Sequence, residues 1–98
     1  MPYQIEFVQQ AEEDLDAIRA FDRSAILHAV EHQLSHEPEH VSRARIKRLR
    51  GVESPAFRLR AGDYRVFYDV DETVRSVTVL RVLSKEQSLA YLREVSGA

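Results

Sequence analysis

The chain has 98 residues, 44% of them hydrophobic and 31% charged, with no cysteine and a formal net charge of −2. That balance excludes a disordered chain and fits one domain with one modest core. The lack of cysteine excludes a disulfide framework and thiolate metal sites, and no apolar run is long enough to cross a bilayer. Residues 1–6 lack the basic start and apolar stretch of a signal peptide, so a cytoplasmic location is expected.

The charge is unevenly spread. Residues 1–40 hold nine acids against Arg19 and Arg23, a net of −7. Residues 41–68 hold eight basic residues against Glu53 and Asp63, a net of +6. Such a chain is strongly dipolar, and its basic middle attracts polyanions.

Tyr3, Ile5 and Phe7 alternate with polar neighbours and predict a first strand. From Gln10 the period changes. Ala11, Leu15, Ile18 and Phe21 share one helical face, and the acids Glu12, Glu13, Asp14 and Asp16 crowd the first turns, where the helix dipole favours them. Asp22 or Ser24 is placed to cap a second helix with the stripe Ile26 or Leu27, Val30 and Leu34. Pro38 cannot continue that helix, which should stop near His36.

Residues 39–51 read as a basic connector ending at Gly51, anchored by Ile46 and Leu49 and able to form a short strand. Residues 56–60 alternate as a strand, Ala61-Gly62-Asp63 is a turn, and residues 64–70 form the next strand. Asp71-Glu72-Thr73 is a second turn. Residues 74–83 are rich in β-formers, and residues 84–95 predict a short C-terminal helix carrying Leu89, Tyr91 and Leu92. The expected fold is α+β: an N-terminal strand, a two-helix hairpin packed on a three- to four-stranded antiparallel sheet, and a short C-terminal helix, with residues 1–98 as one domain.

His28, His32, His36 and His40 recur every four residues, the spacing at which two imidazoles on one helix face bind a transition metal. No third protein ligand is predicted beside them, and their face lies opposite Ile26, Val30 and Leu34. They read as a solvated face, with no metal expected.

The most specific feature is the block Phe57-Arg-Leu-Arg-Ala-Gly-Asp-Tyr-Arg-Val-Phe-Tyr68, preceded by the Leu-x-Gly connector of residues 49–51. Together with the element order, it resembles the RelE/ParE toxins of type II toxin–antitoxin systems over nearly the whole chain. The resemblance implies a bacterial or archaeal toxin held by a cognate antitoxin protein. RelE-like members cut messenger RNA in the ribosomal A site, whereas ParE-like members poison DNA gyrase and need no chemistry of their own. Fold resemblance does not choose between them, and the site must.

Metal-free RNA cleavage requires a proton to leave a ribose 2′-OH, charge on the phosphorane to be stabilised, and the departing 5′-oxygen to be protonated. Arg58 and Arg60 lie two apart on a strand and project from one face, and Arg65 returns toward them beyond the turn. Three guanidiniums on one patch suit a scissile phosphate. Arginine stays protonated, so none of the three is a convincing general base. The resemblance adds Lys85, where the family uses a basic general acid, and Tyr91, whose ring is suited to stacking on a base. Arg43, Arg45, Lys47, Arg48 and Arg50 are expected to meet RNA or ribosome phosphates, or an acidic antitoxin segment.

The bland alternatives are a solvated strand face for Arg58 and Arg60, and a structural Arg65 paired with Asp63 or Asp69. Tyr91 could equally be a core aromatic, and Lys85 an ordinary surface lysine. The expected function is therefore a ribosome-dependent, metal- and cofactor-free mRNA endoribonuclease, with ribosome and mRNA as partners and no membrane. The alternatives are a gyrase inhibitor and an antitoxin-binding module that has lost catalysis.

Overall fold

The structure, a computed structural model, describes residues 2–97. The alternation at the N-terminus builds β1, Gln4–Phe7. Two helices follow, α1 at Gln9–Asp16 and α2 at Ala20–Leu34. The basic connector then forms β2, Ile46–Arg48. The family block makes a hairpin of β3, Phe57–Ala61, and β4, Tyr64–Asp71. The chain ends with β5, Ser76–Ser84, and α3, Lys85–Val95. No helix is long and apolar enough to cross a membrane among the described residues.

The sheet is larger than expected and mixed rather than antiparallel. Its five strands run in the order β1-β5-β4-β3-β2, and β1 lies parallel to β5, with Ile5 beside Val77 and Phe7 beside Val79. The two helices between β1 and the rest carry the chain over the sheet, so β1 and β2 end on opposite edges. The first helix also stops sooner than its apolar period suggests. The Ala17 amide turns back onto the Glu13 and Asp14 carbonyls, leaving Ile18 in the connection and Phe21 77% exposed on α2. Arg19, not Asp22 or Ser24, occupies the N-cap of α2, and Asp22 sits in its first turn, where the Arg19 Nε donates to it at 2.9 Å.

One face of the sheet meets α1 and α2. Ala11, Leu15, Ile26, Val30 and Leu34 pack there on Leu59, Val66, Tyr68, Val77, Val79 and Val82. The other face carries a smaller cluster of Leu49, Phe67 and Leu83, covered by Tyr91 and Leu92 of α3. The helix α3 starts cleanly because Ser84 and Gln87 form a capping box.

Beyond Phe7, β1 no longer borders β5, and α1 takes its place. Asp14, a half-buried residue of α1, accepts the Val82 amide at 2.9 Å and holds the Arg81 Nε at 2.8 Å and Nη2 at 3.2 Å. A charge-assisted bond to a strand amide replaces the missing ladder bond. Asp14→Ala orphans that amide and the Arg81 guanidinium together, so it should destabilise the fold by about 2–4 kcal/mol. Arg81→Ala, which leaves the carboxylate its amide, should cost clearly less. Urea denaturation of both variants measures the difference, and equal losses would assign the effect to the ion pair alone.

Candidate nucleic-acid interface

Residues paired directly across a sheet project to the same side. Lys47 is opposite Arg58, Arg58 opposite Phe67, and Phe67 opposite Arg81. In the next row Arg60 is opposite Arg65, and Arg65 opposite Leu83. The residues Phe57, Leu59, Val66 and Tyr68 point the other way, into the α1–α2 core. Burial of that core therefore sends Arg58, Arg60 and Arg65 to the face that α3 covers only in part.

Arg58 is half-buried, and among the described residues its Nε has no hydrogen-bond partner. Burial, then Arg65, then Arg60 hold its pKa below the ordinary arginine value. All three influences disfavour its charge, and nothing in the described fold offsets them fully. An anion seated here would meet a desolvated guanidinium with two others in Coulombic reach.

The hairpin turn fixes Arg65. Gly62, with φ of 62°, is the first of the two loop residues, a conformation that glycine adopts without steric penalty. The Arg65 Nη1 donates to the Gly62 and Tyr64 carbonyls, both at 3.0 Å. Its anchors are thus carbonyls and not Asp63 or Asp69. Asp69 instead accepts from the Ser54 hydroxyl and the Ala56 amide. Lys85 reaches the same turn, since its amide donates to the Asp63 carbonyl at 2.9 Å, and its side chain is exposed.

Tyr91 packs on Phe67 with ring centres 4.9 Å apart, and the Arg81 guanidinium lies 5.5 Å from the Tyr91 ring centre. Burial pushes its hydroxyl pKa up, so the phenol is neutral at physiological pH. Arg58, Arg60 and Arg65 thus share one face with Tyr91, which is both a partly buried aromatic and a wall of the patch, and the Lys85 backbone lies at the turn end of that face.

The basic connector is divided. Lys47 joins the row of Arg58. Arg48 turns to the opposite face, where its guanidinium lies 5.0 Å from the Phe57 ring centre. Arg50 borders a groove floored by Leu49, Val52 and Leu92 and edged by Lys47 and Arg93. Arg43 is exposed, and Arg45 sits beside Arg60, whose amide donates to the Arg45 carbonyl at 2.8 Å. The four histidines are exposed, with His28 and His32 stacked 6.0 Å apart. No group of three or more histidines and carboxylates arranged to hold a metal ion occurs among the described residues.

A family model, the ParE toxin of the parDE type II toxin–antitoxin system, matches residues 5–89. The chain belongs to the RelE/ParE toxins of type II toxin–antitoxin systems. It is 32% identical over 82 residues to the toxin RelG of Mycobacterium tuberculosis, a match covering 84% of this chain and 90% of that protein. The crystal structure of the RelBE2 toxin–antitoxin complex from the same organism superposes with a TM-score of 0.70 at 31% identity, covering 86% of this chain and 99% of that one. The archaeal RelE–RelB complex from Pyrococcus horikoshii shares the fold, with a TM-score of 0.70 at 23% identity and coverage of 87% and 97%.

In this RelE/ParE toxin, the β2–β3 register sets Lys47, expected from the sequence to meet phosphates, beside Arg58. Two contributors to the face were not foreseen: Phe67 floors it, and Arg81 reaches Tyr91 from β5. Only the run Val66-Phe67-Tyr68 signalled the floor, because three consecutive buried residues require cover on both faces of a strand.

The frustration of Arg58 has a measurable consequence. Arg58→Met replaces a half-buried, incompletely bonded charge with an apolar chain of similar length. It should stabilise the toxin by about 1 kcal/mol while weakening RNA binding. Thermal unfolding and RNA titration at one salt concentration check both halves. A destabilised variant would mean that Arg58 is structural.

Proposed function

We propose that this toxin is a ribosome-dependent, metal-independent endoribonuclease that cuts messenger RNA and thereby stops translation. The observation that carries the reading is Arg58: a half-buried guanidinium with an unpartnered Nε, flanked by Arg60 and Arg65. A patch whose own charges disfavour one another is suited to the dianionic phosphorane more than to any neutral partner.

The 2′-oxygen of the ribose attacks the adjacent phosphorus, the bond to the 5′-oxygen breaks, and a 2′,3′-cyclic phosphate and a 5′-hydroxyl result. Arg58, Arg60 and Arg65 stabilise the equatorial oxygens. Lys85, at the turn that anchors Arg65, gives its proton to the leaving 5′-oxygen. Tyr91 stacks on a base. No arginine takes the 2′-OH proton, so it passes to water or to a group that the ribosome supplies, in keeping with a ribosome-dependent reaction.

A cognate antitoxin is proposed as the second partner and the cytoplasm as the site of action. The RelBE2 relative was solved as a toxin–antitoxin complex. Lys47, Arg50 and Arg93 around the apolar floor of Leu49, Val52 and Leu92 offer an acidic amphipathic segment both charge and apolar contact.

The parDE description of the matching family model favours one other reading, a DNA gyrase inhibitor. A translation extract separates the two. Wild type should generate new 5′ ends within coding sequence only when ribosomes are present. Arg65→Ala and Lys85→Ala should each lower the rate by about 100-fold. Intact mRNA with DNA breaks trapped on gyrase would replace this reading with the second. Intact mRNA and intact DNA would leave an antitoxin-binding module.

A further inference from the structure

A cleft of about 390 Å³ opens between α2 and the β3–β4 turn, on the side of the sheet away from Tyr91. Of the groups proposed to act on the scissile phosphate, Arg60 alone borders it. Its floor is Ile26, and its lining is kept small by Ala25, Ala29 and Ala61. Tyr64 forms one wall. Asp22 supplies a carboxylate whose side chain is 27% exposed, bonded to the Arg19 Nε at 2.9 Å and to the Tyr64 hydroxyl at 3.4 Å, both through Oδ2. Arg45 and Arg60 stand at the rim.

Three features narrow the occupant. First, the volume lies at the lower end of small-molecule sites, enough for one planar group and its sugar. Second, an aromatic wall over an apolar floor suits a flat ring, and the free lone pairs of a carboxylate suit N–H donors on its edge. Third, Arg60 is shared: it is paired with Arg65 on the arginine face and also edges the cleft. A chain of phosphates crossing the three arginines can pass over Arg60 toward Arg45. Asp22 needs N–H donors on the edge of a flat ring, which a nucleobase carries and an acidic side chain lacks, and Arg45 and Arg60 at the rim suit the flanking phosphates.

We propose that this cleft is a nucleobase subsite that takes a guanine flanking the phosphate held by Arg58, Arg60 and Arg65. Guanine is the one common RNA base that presents two adjacent donors, N1–H and the N2 amine, to a single carboxylate. Asp22 receives that edge, Tyr64 lies against the ring, and Arg45 meets the next phosphate. The site selects a base beside the cut and leaves the cut itself to the arginine face. The inference rests on the ribonuclease reading for its RNA, but its test does not require cleavage.

The test is a titration of the isotopically labelled full chain with 5′-GMP, 5′-AMP, 5′-CMP and 5′-UMP, followed by backbone amide resonances. 5′-GMP should shift Ala25, Ala29, Gly62 and Tyr64 and bind about tenfold more tightly than the other three. Asp22→Asn should remove that preference. Ala25→Leu, a good helix former at an exposed position, should fill the cleft and abolish the shifts while the remaining resonances report an intact fold.

Equal responses to all four nucleotides would overturn the proposal, as would shifts confined to Arg58 and Phe67 or shifts that survive Ala25→Leu. A further overturning result is an acidic peptide that moves these amides when no nucleotide does; the cleft would then belong to a protein partner. Because the titration reads binding, a wild type that cuts no mRNA defeats the ribonuclease reading and leaves the result for the cleft standing.

Discussion

Burial of Phe57, Leu59 and Val66 on one side of the β3–β4 hairpin is the constraint that holds Arg58, Arg60 and Arg65 together on the other, against their mutual repulsion. Each guanidinium alone would turn to water. Together on two paired strands they stay on one face because the alternate residues, Phe57, Leu59 and Val66, are buried on the other. A slip of one residue in the β3–β4 register would exchange the two sets, placing the arginines in the apolar core. The hydrophobic effect thus sets the position of the charges, and the Gly62 turn keeps the register from moving.

The patch is open because its cover is short. The helix α3 spans Lys85–Val95 and seals only Leu49, Phe67 and Leu83. It begins beside Arg65, at the turn, and ends near Lys47 and Arg50. A longer apolar helix would have covered Arg58 as well and left it either neutralised or absent. Arg58 stays half-buried, its Nε shielded from water and the rest of the guanidinium open to solvent. Desolvation with access is the condition under which a cation interacts most strongly with a newly formed negative charge.

Much of this was legible in the residues. The alternation at 57–60 and 64–70, the Gly62 turn and the β-rich last strand fixed the hairpin and the common face of Arg58, Arg60 and Arg65. Burial of Ile46 and Leu49 followed from their isolation in a basic connector. What stayed hidden depends on tertiary pairing. Nothing local says that β1 lies parallel to β5, or that Lys47 and Arg48, neighbours in sequence, serve opposite faces. Phe21 fits the apolar period of the first helix, but the chain breaks at Ala17 and turns it outward. Asp14 read as one more acid favoured by a helix dipole, although its main bonds are to a strand 68 residues away. A carboxylate that partners distant groups has no signature in its neighbours. The bordering of the Asp22 cleft by Arg45 and Arg60 is hidden for the same reason.

The Asp14 contact also bears on how the toxin behaves before any antitoxin reaches it. The second half of β5 would otherwise be a bare strand edge, a template on which another copy could add itself. The carboxylate occupies the Val82 amide, and the charged Arg81 side chain wraps the same border, so the ladder cannot be extended there. At the opposite edge β2 is only three residues long and carries Lys47 and Arg48, which blunts it by brevity and charge. Both borders of the sheet are thus closed to edge-to-edge pairing with another copy, by a bonded carboxylate at one and by brevity and charge at the other.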